Sequence, residues 1–380
     1  MKKNGIRCVL FLFLLLSFTL SAGAEDMSAE KEKWSADYDA FRAAIPPEVR
    51  EYLPEEFFSA DVTESEAGVR KGGGVAAILS AVGKLTGLAL GKNLALLAEI
   101  CGLLLLSSVF RSLAQNKERK GVGEAFSFCS ALALACLLFG LQRDRFSDLE
   151  AYFSSLRAFC VALLPLMGTL YAMGGNVRAA VVNHGVFSAF LSILETFCAG
   201  TVLPIAGICL ALTLPDAVSG KIDLRPLAGL IKRAYTLSLS FLMLLLCGVL
   251  GVQSTLAKAG DTLALRTARF AAGSFLPVVG GSVSETLRTV AGSVEYLRGV
   301  AGSGAMLALF FVFLPAFVSV AVTRTAFLLG GAAAKLLSCE AEEKILSEFA
   351  SVYGYFLAVI ASLFVMVIFS LTLFARCAAA

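Results

Sequence analysis

Long apolar stretches recur through this chain and limit the folds open to it. The hydrocarbon core of a bilayer is about 30 Å thick, so a helix needs roughly 20 mainly apolar residues to cross it. Six stretches meet this requirement: residues 93–110, 125–142, 196–215, 234–257, 299–323 and 349–375. Charged residues make up only 16% of the chain, against about 25% in soluble domains. The sequence therefore predicts an all-α polytopic membrane protein with about six to seven transmembrane helices.

Three further apolar segments do not fit a simple crossing. Residues 158–177 are uncharged but contain Pro165, so they form either a seventh span or an interfacial helix. Residues 270–284 are short for a span and are expected to be re-entrant or to lie on the membrane surface. Residues 75–92 are interrupted by Lys84, which favours a helix in the interface or along a pore. Amphipathic or re-entrant helices are thus expected beside the spans.

Charge and hydropathy divide the chain into three segments. Residues 1–24 have a basic start, an apolar middle and an A-x-A end, a pattern typical of a cleavable signal peptide. Residues 25–71 form an acidic extracytoplasmic leader with 13 acidic and 6 basic side chains. Residues 72–380 form a basic helical membrane domain with 16 acidic and 23 basic side chains. No basic patch interleaved with aromatic residues is present, so nucleic acid is not an expected partner.

The leader is predicted to contain a short helix over residues 28–44, followed by a second helical piece over 48–58. Apolar residues lie near one face of the first helix: Trp34, Tyr38, Phe41 and Ile45. Either the leader is held loosely outside the membrane, or this face docks an extracytoplasmic partner.

Small residues and ionisable residues mark candidate sites inside the apolar segments. Gly83, Gly87 and Gly91 share one helix face, and such a stripe allows another helix to approach closely. Glu99 lies within a span, and ionisable groups at membrane depth are costly and usually functional. His184 and Glu195 are three helical turns apart, which permits a proton relay. The favoured explanation is an ion pair between Glu195 and a basic side chain on a neighbouring helix, or a position of His184 at the headgroup level.

No catalytic or metal-binding motif is present in the sequence. It contains no Walker loop, no G-x-S-x-G turn, no H-E-x-x-H helix and no C-x-x-C pair. Most of the ten cysteines lie in apolar runs, where they behave as small hydrophobic residues. We therefore expect no enzyme activity, no cofactor and no bound metal.

A polar, broken segment between two spans is the most unusual part of the sequence. Residues 253–298 combine acidic and basic side chains with proline and paired glycines, and predict a hairpin. It is expected to line a water-filled path, to contact other subunits, or to be an ordinary interfacial loop. Its candidate assembly or path-lining residues are Gln253, Asp261, Arg266, Arg269, Phe275, Pro277, Gly280 and Glu285.

The same segment resembles the stage III sporulation protein AE family of endospore-forming bacteria. The similarity rests on Arg266-Thr-Ala-Arg269-Phe270, on Phe275-Leu-Pro277-Val-Val-Gly280 and on Ser284-Glu285, and it extends over roughly residues 75–375. The resemblance implies a membrane subunit of a secretion-like channel in the mother-cell membrane around the forespore. The implied partners are other stage III sporulation membrane proteins, a separate ATPase and a forespore-side channel protein.

The alternative function is a stand-alone permease for a small solute. Many such proteins are built from inverted repeats with paired broken helices. No convincing internal repeat is present in the sequence. The channel subunit is therefore the favoured hypothesis.

Overall fold

The computed structural model describes residues 36–58, 62–113, 120–173, 200–213, 224–245 and 280–378, with a few isolated positions between them. Within the last two helices it describes side chains over residues 303–368. The predicted signal peptide lies outside the described residues, as do residues 25–35 of the leader.

Every regular element in these ranges is helical, as the sequence predicts. The α-helices are α1 (36–44), α2 (Pro47–Arg50), α3 (Val62–Gly72), α4 (Val75–Leu113), α5 (Lys120–Met173), α6 (Gly200–Thr213), α7 (Arg225–Leu245), α8 (Gly280–Leu336) and α9 (Glu340–Ala378). A 3₁₀ turn at Glu55–Phe58 lies between α2 and α3.

Five helices in the described part of the chain are long and apolar enough to cross a membrane. The candidate spans are Val75–Ser112, Ala125–Pro165, Arg225–Leu245, Ser303–Leu336 and Glu340–Ile368. They overlap five of the six predicted spans. The sixth prediction, residues 196–215, coincides with the shorter apolar helix α6.

Two predicted breaks are absent from the long helices. Residues 75–92 form one continuous helix with the span that follows them. The described part of 158–177 continues the same helix as 125–142, with Pro165 inside it. Proline is tolerated in such helices because neighbouring groups satisfy the freed carbonyl. The two apolar stretches of α5 therefore do not form separate crossings joined by a turn.

The core of the body is formed by α4, α5, α8 and α9, and α8 and α9 share its most extensive interface. Phe327 of α8 stacks on Phe349 of α9 with ring centroids 5.2 Å apart. Glycine brings α4 close to α8, because a Cβ atom at Gly330 would lie only 3.2 Å from Cγ2 of Ile100. These contacts build a continuous apolar core rather than a ring of separate helices.

A tight turn over residues 336–340 connects α8 to α9. The Cys339 amide donates to the Ala334 carbonyl at 2.8 Å, and the Ser338 amide donates to the Lys335 carbonyl at 3.2 Å. This bonding pattern is a Schellman motif, which usually places glycine at the left-handed position. Here Ser338 occupies that position with φ of 55°. The turn orients the first turn of α9 beside the end of α4.

The leader packs against the body through its apolar face. Three of the four residues of the predicted face, Tyr38, Phe41 and Ile45, are buried as expected, and Trp34 lies outside the described residues. The Phe41 ring lies 5.4 Å from that of Phe159 in α5. Directly after the leader, a Cβ atom at Gly72 would lie 2.9 Å from Leu307 of α8. This face is therefore covered by the chain itself, and it is neither loosely held nor open to a partner.

Candidate functional site: polar clusters between the helices

Three groups of polar side chains lie between the apolar helices. We call them the Glu342 cluster, the Arg145 cluster and the Lys232–Glu348 pair. Polar groups at membrane depth are costly unless they are paired, and they commonly mark functional or assembly-determining positions. Each group joins residues that are far apart in the sequence.

The Glu342 cluster lies where α4, α5 and α9 meet. Glu342 is fully buried in the first turn of α9. Its Oε1 atom accepts hydrogen bonds from the hydroxyls of Ser107 at 2.6 Å and Ser130 at 2.8 Å. Its Oε2 atom accepts one from Arg111 at 3.3 Å. The N-terminus of α9 also favours a negative charge here, so the carboxylate is satisfied by charge and by hydrogen bonds.

Arg111 extends this cluster to the turn between α8 and α9. Its guanidinium donates to the hydroxyl of Ser127 at 2.9 Å and to the backbone carbonyl of Ser338. Cys339 lies beside the cluster, and burial, followed by the charge of Glu342, raises the pKa of its thiol. The thiol is therefore protonated near neutral pH and behaves as a packing group.

The Arg145 cluster joins α4, α5 and α8. One guanidinium nitrogen of Arg145 donates to Oδ1 of Asn93 at 2.8 Å and to Oγ1 of Thr323 at 2.6 Å. One turn earlier on α5, the fully buried Gln142 accepts a hydrogen bond from the hydroxyl of Tyr353. Its amide nitrogen has no partner in the part of the chain that the structure describes. Together these contacts tie all four core helices at one level.

The Lys232–Glu348 pair attaches α7 to α9. The Lys232 ammonium donates to the Glu348 carboxylate and to the Ser351 hydroxyl, the latter at 2.6 Å. Both ionised side chains are buried, with 7% and 6% of their residue surface exposed. A T-shaped contact between Tyr235 and Tyr355, with centroids 5.5 Å apart, lies along the same interface.

The hydrogen bonds and ion pairs of the three groups hold the helices in position relative to one another. The strong contacts join charged, amide or hydroxyl side chains to other helices of the same chain or, for Arg111, also to the turn between α8 and α9. Across residues 36–58, 62–113 and the other described ranges, no three potential metal ligands lie together. In the Glu342 cluster the hydroxyls of Ser107 and Ser130 lie beside a carboxylate, and Arg111 is paired with the same carboxylate.

Two of the eight candidate residues of the predicted hairpin belong to the part of the chain that the structure describes. Gln253, Asp261, Arg266, Arg269, Phe275 and Pro277 lie outside the described residues, as do His184 and Glu195. For Gly280 and Glu285 the backbone alone is described, and it forms the start of α8. The turn predicted at Gly280-Gly281 is wrong, because both residues are helical. Residues 281–298, the last part of the predicted hairpin, are likewise part of the same continuous helix as the span.

The predicted small-residue face of α4 is exposed. A Cβ atom at Gly83, Gly87 or Gly91 would meet no atom within 4 Å in the part of the body that the structure describes. Glu99 is exposed on the same helix. Glycines at close helix contacts are instead found in α8 and α9, at Gly330 and at other positions that the sequence pattern did not distinguish.

Sequence comparisons place these features in a known family. The model of the family described as Stage III sporulation protein AE matches residues 66–378. A curated relative, Stage III sporulation protein AE of Bacillus subtilis (strain 168), is 26% identical over 182 residues. That match covers 48% of this chain and 45% of the relative, which is less than half of either. No solved structure matches the chain. Because the family model covers all five candidate spans and residues 66–72 of the helix before them, the chain belongs to the stage III sporulation protein AE family, a membership that implies a role in sporulation.

Proposed function

We propose that this chain is a membrane subunit of a secretion-like channel complex that links mother cell and forespore during endospore formation. The observation that carries the proposal is the family match over residues 66–378, which contains every candidate span. The polar clusters support a structural role, because they hold long helices in a fixed arrangement. In this role the chain contributes a rigid body and surfaces for neighbouring subunits.

The proposed partners are other stage III sporulation membrane proteins, a separate ATPase that supplies energy, and a forespore-side channel protein. The proposed location is the mother-cell membrane around the forespore, which the chain crosses several times. We propose no catalytic activity, no cofactor and no nucleic-acid partner for it. The predicted hairpin residues remain the proposed contacts with these partners, above all Asp261 and Arg266.

Co-purification from sporulating cells tests this proposal. A tagged chain extracted in mild detergent is expected to retain several stage III membrane proteins and an ATPase. Asp261→Ala and Arg266→Ala are expected to lower spore yield while membrane insertion stays intact. Glu340→Ala changes an exposed carboxylate in α9 and serves as the control. Normal spore yield in both hairpin variants would remove the proposed role of the hairpin.

The alternative, a stand-alone permease, predicts a different result. The purified chain in proteoliposomes would then accumulate a solute without any other subunit. A channel subunit alone is expected to show no such uptake. Solute accumulation by the isolated chain would contradict our proposal even if a stage III protein co-purified.

A further inference from the structure

One segment of α5 is polar on its exposed side, although its buried side belongs to the apolar core. From residue 147 to residue 158, every exposed residue is charged or is a serine or an alanine. The charged residues are Asp148, Glu150 and Arg157. On the opposite side of the helix, Phe153 and Leu156 are buried. We call the exposed side of this segment the polar face of α5.

The polar face lies at the level of residues 303–323 of α8. At one end of this level, the guanidinium of Arg145 donates to the hydroxyl of Thr323 at 2.6 Å. Further along α5, the ring of Tyr152 makes a T-shaped contact with that of Phe313, with centroids 6.0 Å apart. The two helices therefore run in opposite directions. The polar face extends about 18 Å from Arg145 along α5, at 1.5 Å per residue, and stays beside this part of α8.

This part of α8 has the length and composition of a membrane crossing. Residues 299–323 contain no charged residue. Residues 303–323 alone are about 30 Å long, which matches the hydrocarbon core of a bilayer. Helix α9 is likewise free of charge from residue 349 to residue 375. The rings of Phe313 and Phe364, with centroids 5.0 Å apart, place the two charge-free stretches side by side.

Helix α7 supports the same bilayer level. Its residues 234–257 are also free of charge. The bond between Lys232 and Glu348 places the start of this stretch beside the start of the charge-free stretch of α9. The half of the body beyond this level fits a bilayer less well, because α8 carries exposed charges there at Arg324 and Lys335. They lie about 16 Å apart along the helix, about half the thickness of the hydrocarbon core.

The other helices expose mainly apolar side chains at this level. Helix α7 exposes Leu237 and Phe241, and α8 exposes Phe317. Helix α4 exposes Leu79 there, together with Lys84 as its one charged residue between positions 75 and 91. Lipid can cover these apolar surfaces, whereas ionisable side chains at membrane depth almost always face the interior of a bundle or a water-filled cavity. Because the polar face of α5 points away from the core, water is the cover that fits it.

We propose that the polar face of α5 lines a water-filled path at the level where α7, α8 and α9 cross the bilayer. The face carries both signs of charge, at Asp148, Glu150 and Arg157, which fits the passage of hydrated polar solutes without selection for one sign. One helix face does not enclose water by itself, so a neighbouring subunit closes the path. In this respect the inference rests on the proposed channel function.

Cysteine accessibility tests this proposal on the full chain in permeabilised membrane vesicles from sporulating cells. Ser154→Cys introduces a thiol on the polar face, while Ser319→Cys and Ser238→Cys introduce matched thiols at exposed serines of α8 and α7. A charged methanethiosulfonate reagent reacts with the thiolate, which forms in water and not in lipid. Ser154→Cys is therefore expected to react about tenfold faster than the other two variants. Ala40→Cys, at an exposed position of the leader, gives the rate for full access, and the wild type with its ten native cysteines gives the background.

Two results would overturn the proposal. If Ser154→Cys reacts as slowly as the α8 and α7 variants, lipid or protein covers the polar face. If all three variants react as fast as Ala40→Cys, this level of the body lies outside the bilayer. The proposed channel function is tested separately by co-purification. Retained stage III partners with slow labelling at Ser154→Cys would remove only the water-filled path, whereas selective fast labelling without retained partners would remove the channel function and keep the water-facing surface.

Discussion

Removing one partner of the Lys232–Glu348 pair is expected to destabilise the body strongly. The Lys232 ammonium lies in a residue that is 7% exposed, and its partners are Glu348 and the hydroxyl of Ser351. Glu348→Leu leaves this ammonium buried with one neutral partner. Loss of one member of a buried ion pair typically costs about 3–5 kcal/mol, because the remaining charge is uncompensated.

Removing both charges is expected to have a much smaller effect. Lys232→Met combined with Glu348→Leu replaces the pair by apolar side chains of similar size. Such replacements are often neutral, or stabilising by about 1–4 kcal/mol. The double variant should therefore be more stable than either single variant. The difference in unfolding free energy between the double variant and each single variant measures the cost of leaving one buried charge unpaired. It does not measure the net contribution of the ion pair to stability.

Reversible unfolding by SDS in mixed micelles measures these free energies in a double-mutant cycle. The coupling between the two positions is expected to be about 2 kcal/mol or more, above the range of exposed pairs. Lys335→Met, at an exposed lysine, is the matched control and should change stability by less than about 0.5 kcal/mol. If each single variant is as stable as the wild type, the ammonium is not desolvated and our reasoning about this interface is wrong.

Four single substitutions test local features of the fold. Ser338→Gly should raise the melting temperature, because glycine adopts the left-handed conformation without the steric cost of about 1 kcal/mol that serine has there. An unchanged melting temperature would contradict the Schellman geometry. Gly83→Ala should stabilise the exposed face of α4 by up to about 1 kcal/mol, whereas Gly330→Ala should gain nothing because Ile100 is too close. Equal melting temperatures of the Gly83→Ala and Gly330→Ala variants would show that the space around the two glycines does not differ as described. Arg50→Ala removes three hydrogen bonds to the carbonyls that end α1, so protease should cleave the leader faster than in wild type.

Hydropathy alone predicted the helical class and most of the spans, because the length and composition of an apolar stretch decide whether it can cross a bilayer. It did not predict helix continuity. Lys84 was interpreted as an interruption of the apolar segment 75–92, yet a single exposed lysine does not end a helix. Pro165 was interpreted as a position where a helix is broken, yet it lies inside the continuous helix α5. These local signals were outweighed by the apolar context on both sides of them.

The polar clusters were missed in part because some of their charged members lie in segments that resemble loops. Arg145 belongs to a charged run between two apolar stretches, and Glu342 lies in an acidic run between two others. The available signals were polar residues within spans, such as Asn93 and Thr323, which need partners from elsewhere. The partners of these polar residues can be identified only when the packing of α4, α5 and α8 is known. The periodicity of the sequence does not predict that packing.

The length of the helices bears on which function the body serves. Helix α5 contains 54 residues, about 81 Å at 1.5 Å per residue, against a hydrocarbon core of about 30 Å. Exposed charges at Arg143, Asp144 and Asp148 separate its two apolar halves. Apolar side chains are exposed on both halves, for example Leu132 at 46% and Val161 at 48%. One bilayer therefore covers at most one half, and the other needs cover from protein. A subunit of a larger assembly has such cover, whereas a permease acting alone does not.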